Sequence, residues 1–278
     1  MALTSRTAQA DDHRLEWQGS WPKFQASEYA YTIGIWTSYA ILEIGAPAIE
    51  RPLWTRGLPG DVAVRGALAA STRRKREAAG DWSDALWIGG QVMVWVDSLA
   101  VPLFLDDWNF EVAAQLTLLN AEAMAPTALV SRLLHRTAGR ERPDKHGCRK
   151  DPKYGFSCGL PDASSFPSGH TSAGFVAAGL SCAHHQHLGL YGHPAADAAM
   201  CALMVTASTA NGALRIVADR HWVSDVVAGA VVGGVLGYGL PNLLHYRYDG
   251  PLTREGPAAL GLRETAIPRY PLRYTIAF

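Results

Sequence analysis

Three short segments in the middle of the chain carry residue types suited to phosphorus chemistry: Arg142-Pro143, Pro167-Ser168-Gly169-His170, and Arg215 followed by His221 and Asp225. A phosphoryl group in transfer spreads negative charge over its equatorial oxygens, so a catalyst must chiefly position it and neutralise it. Arginine suits the task, because its planar fork grips two oxygens and keeps its proton. Arg142 and Arg215 are the candidates. Ser168 can cap a helix and Gly169 lets backbone approach a ligand, so the N–H groups and dipole of the following helix favour an anion. His170 falls in that first turn, where it can protonate a leaving alcohol. His221 and Asp225 are four apart and share one helix face. A carboxylate on one ring nitrogen would fix the tautomer and leave the other nitrogen to attack phosphorus. Ser168 is the rival nucleophile, but it lacks the flanking glycines of a nucleophile elbow. Taken singly, each piece has a plain structural reading: a membrane-flanking arginine, or an i, i+4 core pair.

Six apolar stretches of about twenty residues can position these groups, each roughly what a bilayer core of ~30 Å requires. They cover residues 29–49, 85–105, 112–134, 168 to 182 or 190, 195–217 and 223–244. The last carries Gly229, Gly233 and Gly237 at i, i+4 and i+8, a spacing that lets helices approach closely in lipid and that soluble helices rarely tolerate. His170 and Arg215 are 45 residues apart, one helix across and one back, so both emerge on one side. Glu43, Asp97, Glu111 and Glu122 lie within the stretches and are expected to face the bundle interior or a wet cavity. The fold expected is all-α, a polytopic membrane bundle of about six spans with the site at the ends of the third to sixth. A soluble helical fold is the alternative that these charges keep open. Residues 1–27 read as a polar N-terminal segment, 28–246 as the helical domain with its motifs in 110–245, and 247–278 as a polar tail.

Lys plus Arg and Asp plus Glu number 25 each, which disfavours nucleic-acid binding. Mean hydropathy is −0.01, an average of apolar stretches and polar loops. Residues 51–82 are polar, with an amphipathic helix expected over 61–72. Arg73-Arg74-Lys75-Arg76 then reads as a solvated or headgroup-facing turn. Cys148 and Cys158 share a polar loop and can pair in an oxidising compartment, while Cys182 and Cys201 read as buried small hydrophobes. His184, His185, His187 and His193 are expected in a solvated turn rather than around a metal. Ala8-Gln9-Ala10 has the small-x-small form of a cleavage site, without an apolar run before it.

His135-x6-Arg142-Pro143, Pro167-Ser168-Gly169-His170 and Arg215-x5-His221-x3-Asp225 together resemble the three-part motif of the type 2 phosphatidic acid phosphatases. That superfamily also holds bacterial acid phosphatases and vanadium haloperoxidases. The resemblance implies His221 as the nucleophile that becomes a phosphohistidine, Asp225 as its orienting group and His170 as general acid. It implies phosphate binding by Arg142, Arg215, Ser168 and Gly169, with no metal or other cofactor in hydrolysis. Two positions depart from the pattern. His135 replaces a lysine and is expected to bind phosphate less strongly, with Arg136 or Arg140 available to supply the missing charge, and Leu214 replaces a serine. The function implied is hydrolysis of a lipid phosphate or diphosphate, with membrane and lipid as the partners and no oligomeric state indicated. A lipid phosphotransferase, a secreted acid phosphatase, a vanadate-dependent haloperoxidase and a non-catalytic lipid binder remain alternatives. The family places its motif loops outside the cytoplasm, which fits a Cys148–Cys158 disulfide and a bacterial inner membrane. The basic run and the acidic Asp106-Asp107 turn oppose that orientation under the positive-inside tendency.

Overall fold

A computed structural model describes residues 14–246 apart from 47, 48, 50, 156, 157, 160 and 161. Its elements are α1 (Ala26–Gly45), α2 (Pro59–Leu68), α3 (Arg73–Phe104), α4 (Phe110–Ala138), α5 (Asp144–Cys148), α6 (Gly169–Leu188), α7 (Pro194–Val217) and α8 (Val223–Gly234). Two π-helical turns, Val235–Gly239 and Asn242–Tyr246, continue the line of α8. No strand occurs among the described residues, only a bridge between Trp54 and Arg140. The 247–278 tail and Ala8-Gln9-Ala10 lie outside the described residues.

Local chemistry sets the boundaries. Thr72 accepts from Lys75 N, so α3 begins at the basic run, and the expected turn at residues 73–76 is a helix start. Arg76 is buried there, donating to the Ala70 and Tyr154 carbonyls and lying 3.6 Å over the Tyr154 ring. Pro59 opens α2 and Asp61 reaches back to the Leu58 N–H, so this helix starts near the expected place and ends at Leu68, since Thr72 caps the next one. Asn109 caps α4, and Gly139, in the left-handed region at φ 52°, follows its end.

The six long helices form one bundle around α6, which packs on α3, α4, α7 and α8. By length and apolar composition, α3, α7 and the 223–246 segment are able to cross a membrane. α6 needs no such run, because its neighbours cover it and many of its residues are buried. Ile41, Ile44, Ile88, Val92, Val231 and Val235 are exposed on the outer helices, as a lipid-facing surface requires. The glycine stripe works as expected. A Cβ at Gly229 would lie 2.6 Å from the Ser168 carbonyl oxygen, and Cβ atoms at Gly233 and Gly237 would collide with the carbonyls of Ser172 and Val176. This contact brings the start of α6 onto the start of α8.

Several sequence expectations change. Cys182 and Cys201 form a disulfide, as Cys148 and Cys158 do, because α6 and α7 bring their Cα atoms to 4.5 Å. His184 and His185 lie inside α6, not in a solvated turn: His184 meets Asn120 and the Tyr246 hydroxyl at 3.0 Å each, and His185 lies between Asp197 (2.7 Å) and Asp97 (3.3 Å). Their polar partners come from other helices, which hydropathy along one segment cannot show. Only His193 stands in the turn, capping α7. Of the acidic residues in the stretches, Asp97 and Glu122 are buried, while Glu43 pairs at the surface with Arg132 at 2.5 Å and Glu111 with Lys23. Leu15, Trp17, Trp21 and Phe24, from the polar N-terminal segment, join a core with Leu116 and Tyr246.

Candidate active site

The three segments converge at one end of the bundle. Ser168 caps α6, its Oγ accepting from the Thr171 hydroxyl at 2.8 Å, while its N–H donates to the Asp225 carbonyl at 2.9 Å. The second and third segments are therefore joined directly by backbone. Gly169 and His170 form the opening turn. Arg142 follows Gly139 and Arg140 on the chain leaving α4, and pairs with Asp162 at 2.7 Å. Against its burial, which would raise it, Arg142 and Ser164 hold the Asp162 carboxyl below the usual range.

His221 is 2% exposed in the turn between α7 and α8. Its Nδ1 is 2.8 Å from the Ser165 carbonyl oxygen. A carbonyl only accepts, so Nδ1 carries the hydrogen and the lone pair sits on Nε2. The expected direct bond from Asp225 is replaced: the nearest Asp225 oxygen is 3.8 Å from Nδ1. The i, i+4 spacing places both groups on one face, but the carboxylate turns to other donors. It accepts from Ser165 Oγ (2.6 Å), Trp222 N (2.9 Å) and Arg140. Ser165 thus links the pair, with its hydroxyl on Asp225 and its carbonyl on His221. Burial first, then the nearby positive charges of Arg142 and Arg215, holds the His221 pKa well below its ordinary value. A neutral imidazole with an open Nε2 is the form that can attack phosphorus.

His170 Nε2 lies 2.9 Å from Asp84 Oδ1, and Arg215 Nη1 donates to the same oxygen at 3.0 Å. Trp87, one turn along α3 from Asp84, places its ring 4.7 Å from that of His170. Asn211 donates to the His170 carbonyl at 2.9 Å. His135 does not stand as an obvious phosphate donor. Its Nε2 donates to the Pro167 carbonyl at 2.8 Å, so a neutral ring has no N–H left for a ligand. Arg140 does not take over the missing charge either. It is fully buried, lies 3.8 Å over the Trp54 ring, and ties Asp225 to Asp61 and Ser224. The family's serine position is Leu214, which leaves no hydroxyl there.

Sequence reasoning missed Asp84, Ser165, Asp61 and the partnership of Arg140. Ser165, two residues before Pro167, was within sight of the motif, whereas Asp84 and Asp61 carry no local signal. A further brace fixes the turn before His221. Arg65 grips Asp219 with two bonds of 2.7 Å, and the Tyr154 hydroxyl adds a third at 2.8 Å. Asp219 holds a left-handed φ of 58°, a strained backbone that these bonds retain.

Two cavities adjoin the motif. A groove of about 360 Å³ is lined by Trp36, Trp87, Met124, Ala128, Ala173 and Val176, and reaches Gly169 and His135. A polar pocket of about 210 Å³ lies on the other side of His135, with Arg132, Arg136 and Asp162 in its wall. A larger cavity of about 960 Å³ between α6 and α7 contains no motif residue.

Comparison with known proteins agrees with this geometry. Residues 116–249 match the family model of the PAP2 superfamily. The chain is 41% identical over 115 residues to a lipid A 1-phosphatase of Porphyromonas gingivalis, a match over 37% of this chain and 24% of that protein's length. Its fold is similar to the crystal structure described as the first transmembrane PAP2 type phosphatidylglycerolphosphate phosphatase, from Bacillus subtilis. The TM-score is 0.50 at 16% identity, covering 80% of this chain and 98% of that one. Residues 116–249 of this all-helical bundle, which hold the histidine, arginine and aspartate residues of the three segments, are thus similar to the PAP2 superfamily.

Proposed function

We propose that the protein is a membrane phosphatase that hydrolyses a lipid phosphate or diphosphate through a phosphohistidine at His221. The observation that carries this reading is the His221 ring itself: neutral, with Nδ1–H spent on Ser165, and flanked by Arg142 and Arg215. In the first step the Nε2 lone pair forms the N–P bond as the P–O bond to the alcohol breaks, and His170 gives the leaving oxygen a proton. In the second, His170 takes a proton from water, the water oxygen forms a P–O bond, and the N–P bond breaks to release phosphate. Arg142, Arg215 and the first turn of α6 balance the charge on the equatorial oxygens. The steps use no metal.

The apolar groove supports a lipid substrate, since it opens beside Gly169 and offers a chain the surface it needs. The adjoining basic pocket suits a polar headgroup. The similar lipid A 1-phosphatase points to the same class, a phosphate carried by a lipid. The Cys148–Cys158 disulfide, on the motif side, supports a site facing outward from a bacterial inner membrane.

The test is phosphate release from a panel of lipid phosphates and diphosphates in detergent with chelator present, wild type beside His221→Ala. Release by wild type alone is expected, with acid-labile phosphate trapped on the protein after a rapid quench. Release that survives in His221→Ala, or none from any lipid, would remove the reading.

A further inference from the structure

Glu28 on α1, Glu122 on α4 and His245 in the last π turn meet inside the bundle, away from the phosphate site. Along α4, Glu122 precedes His135 by 13 residues, about 20 Å at ~1.5 Å per residue. One oxygen or nitrogen from each of the three lies within 4.8 Å of the others. His245 Nε2 is 3.2 Å from Glu122 Oε2 and 3.6 Å from Glu28 Oε1. Two ligands held about 2.0–2.1 Å from a tetrahedral ion sit roughly 3.3 Å apart, so these spacings match a ligand shell.

The surroundings point the same way. His245 Nδ1 faces the Pro22 carbonyl at 3.0 Å, so it carries the hydrogen and turns Nε2 toward the carboxylates. Metal-binding histidines use that outer bond to fix their tautomer. Phe24 stacks on the ring at 6.2 Å and 8°, covering it from solvent. Glu122 is 1% exposed, yet its Oε1 has no hydrogen-bond partner. Thr32, one turn beyond Glu28 on the same face of α1, is 7% exposed, and its Oγ1 also has none. Glu28 Oε2 accepts the Gln25 N–H at 2.5 Å, which leaves Oε1 for the cluster, whereas an imidazolium bonded to Glu122 Oε2 would leave the buried Glu122 Oε1 unmet, which is costly in a bundle interior. A divalent cation answers both carboxylates together.

We infer that Glu28, Glu122 and His245 form a structural site for a divalent first-row transition ion, with zinc the best match to one imidazole and carboxylate oxygens. The ion would tie the start of α1, the middle of α4 and the last described turn to the Pro22 segment. The inference does not rest on the proposed catalysis. To test it, the full chain is purified in detergent, stripped with chelator, reloaded with zinc chloride and desalted. Metal content is then read by mass spectrometry and unfolding by temperature. Wild type is expected to keep about one zinc per chain and to gain several degrees in Tm. Glu122→Gln and His245→Ala are expected to keep almost none and to gain nothing, while the near-isosteric glutamine leaves the stripped protein's Tm close to wild type. Cobalt loading adds a readout independent of folding: a tetrahedral visible band in wild type, lost in Glu28→Gln. Wild type without retained zinc, or variants that retain as much as wild type, overturns the inference.

Discussion

At the scale of single residues, the site is a set of charges arranged around one neutral imidazole. In the proposed mechanism the nucleophile is the unprotonated ring, and a pKa held below the ordinary histidine value keeps His221 unprotonated further into acid. The acid limb of kcat/KM is therefore expected below about pH 6.5, the unperturbed histidine value. Burial is the largest cause of that shift, and Arg142 and Arg215 add to it. Arg142→Gln removes one nearby cation, so protonation of His221 becomes easier and the acid limb moves to higher pH. KM rises as well, but the limb position separates the electrostatic effect from lost binding. An unmoved limb would show that Arg142 does not act on the nucleophile. Asp84 allows a second test. Its Oδ1 holds the His170 and Arg215 nitrogens that phosphate oxygens would seek. Asp84→Asn is expected to tighten competitive inhibition by inorganic phosphate several-fold, because a competing anion is gone. Weaker inhibition would mean that the carboxylate chiefly holds the pair in place for the substrate. His170, Arg215, His221 and Asp225 were legible because each sits in a short segment with a recognisable spacing. Asp84 and Asp61 were not: each is one acid among many on a distant helix, and only the packing of α3 and α2 selects them.

At the scale of elements, the glycines of the 223–246 segment decide whether the site assembles. The motif residues at the starts of α6 and α8 come from different helices, and the Ser168 N–H reaches the Asp225 carbonyl because α8 lies against the backbone of α6. A Cβ at Gly233 would strike the Ser172 carbonyl and come within 2.9 Å of Val176 N, both backbone atoms that cannot step aside. Gly233→Ala is expected to cost roughly 1–3 kcal/mol from overpacking. It should also lower kcat, since any relief moves α6 and His170 with it. Gly234, where an added Cβ would meet nothing within 4 Å, is the control. Gly234→Ala should keep both activity and thermal midpoint; equal damage from both would mean that helix propensity, not the close approach, is at stake. This stripe was legible because lipid-packed helices leave it in the sequence. The ends of the helices were less so. Hydropathy found the apolar part of α3 and missed its basic first turns, and it left the end of α6 open between residues 182 and 190, because the burial of His184 and His185 depends on Asn120, Asp97 and Asp197 from three other helices.

At the scale of the whole molecule, two signals disagree about which end faces the cytoplasm. The basic run of residues 73–76 lies at the motif end, since Arg76 bonds the Tyr154 carbonyl and the Tyr154 hydroxyl bonds Asp219 beside His221. Asp106 and Asp107 lie at the opposite end, where Asp106 receives the Arg14 and Leu15 N–H groups. The positive-inside tendency would turn the motif end inward. The Cys148–Cys158 disulfide argues the other way, because such bonds form and persist on the oxidising side of a membrane. The structure weakens the first signal more than the second. Arg76 is buried, and Arg73 pairs with Glu77 at 2.7 Å, so fewer of these cations face a headgroup surface than the sequence suggests. An outward motif end is therefore expected. It can be read in intact cells, in a Cys182→Ser, Cys201→Ser background that leaves only the loop pair. Cys148 and Cys158 should resist a membrane-impermeant maleimide until an impermeant reductant is added, and then label fully from outside. Labelling that needs permeabilised cells would place the motif loops in the cytoplasm and require substrate to reach the site from the inner leaflet, whereas labelling from outside without reductant would mean that the pair is not bonded.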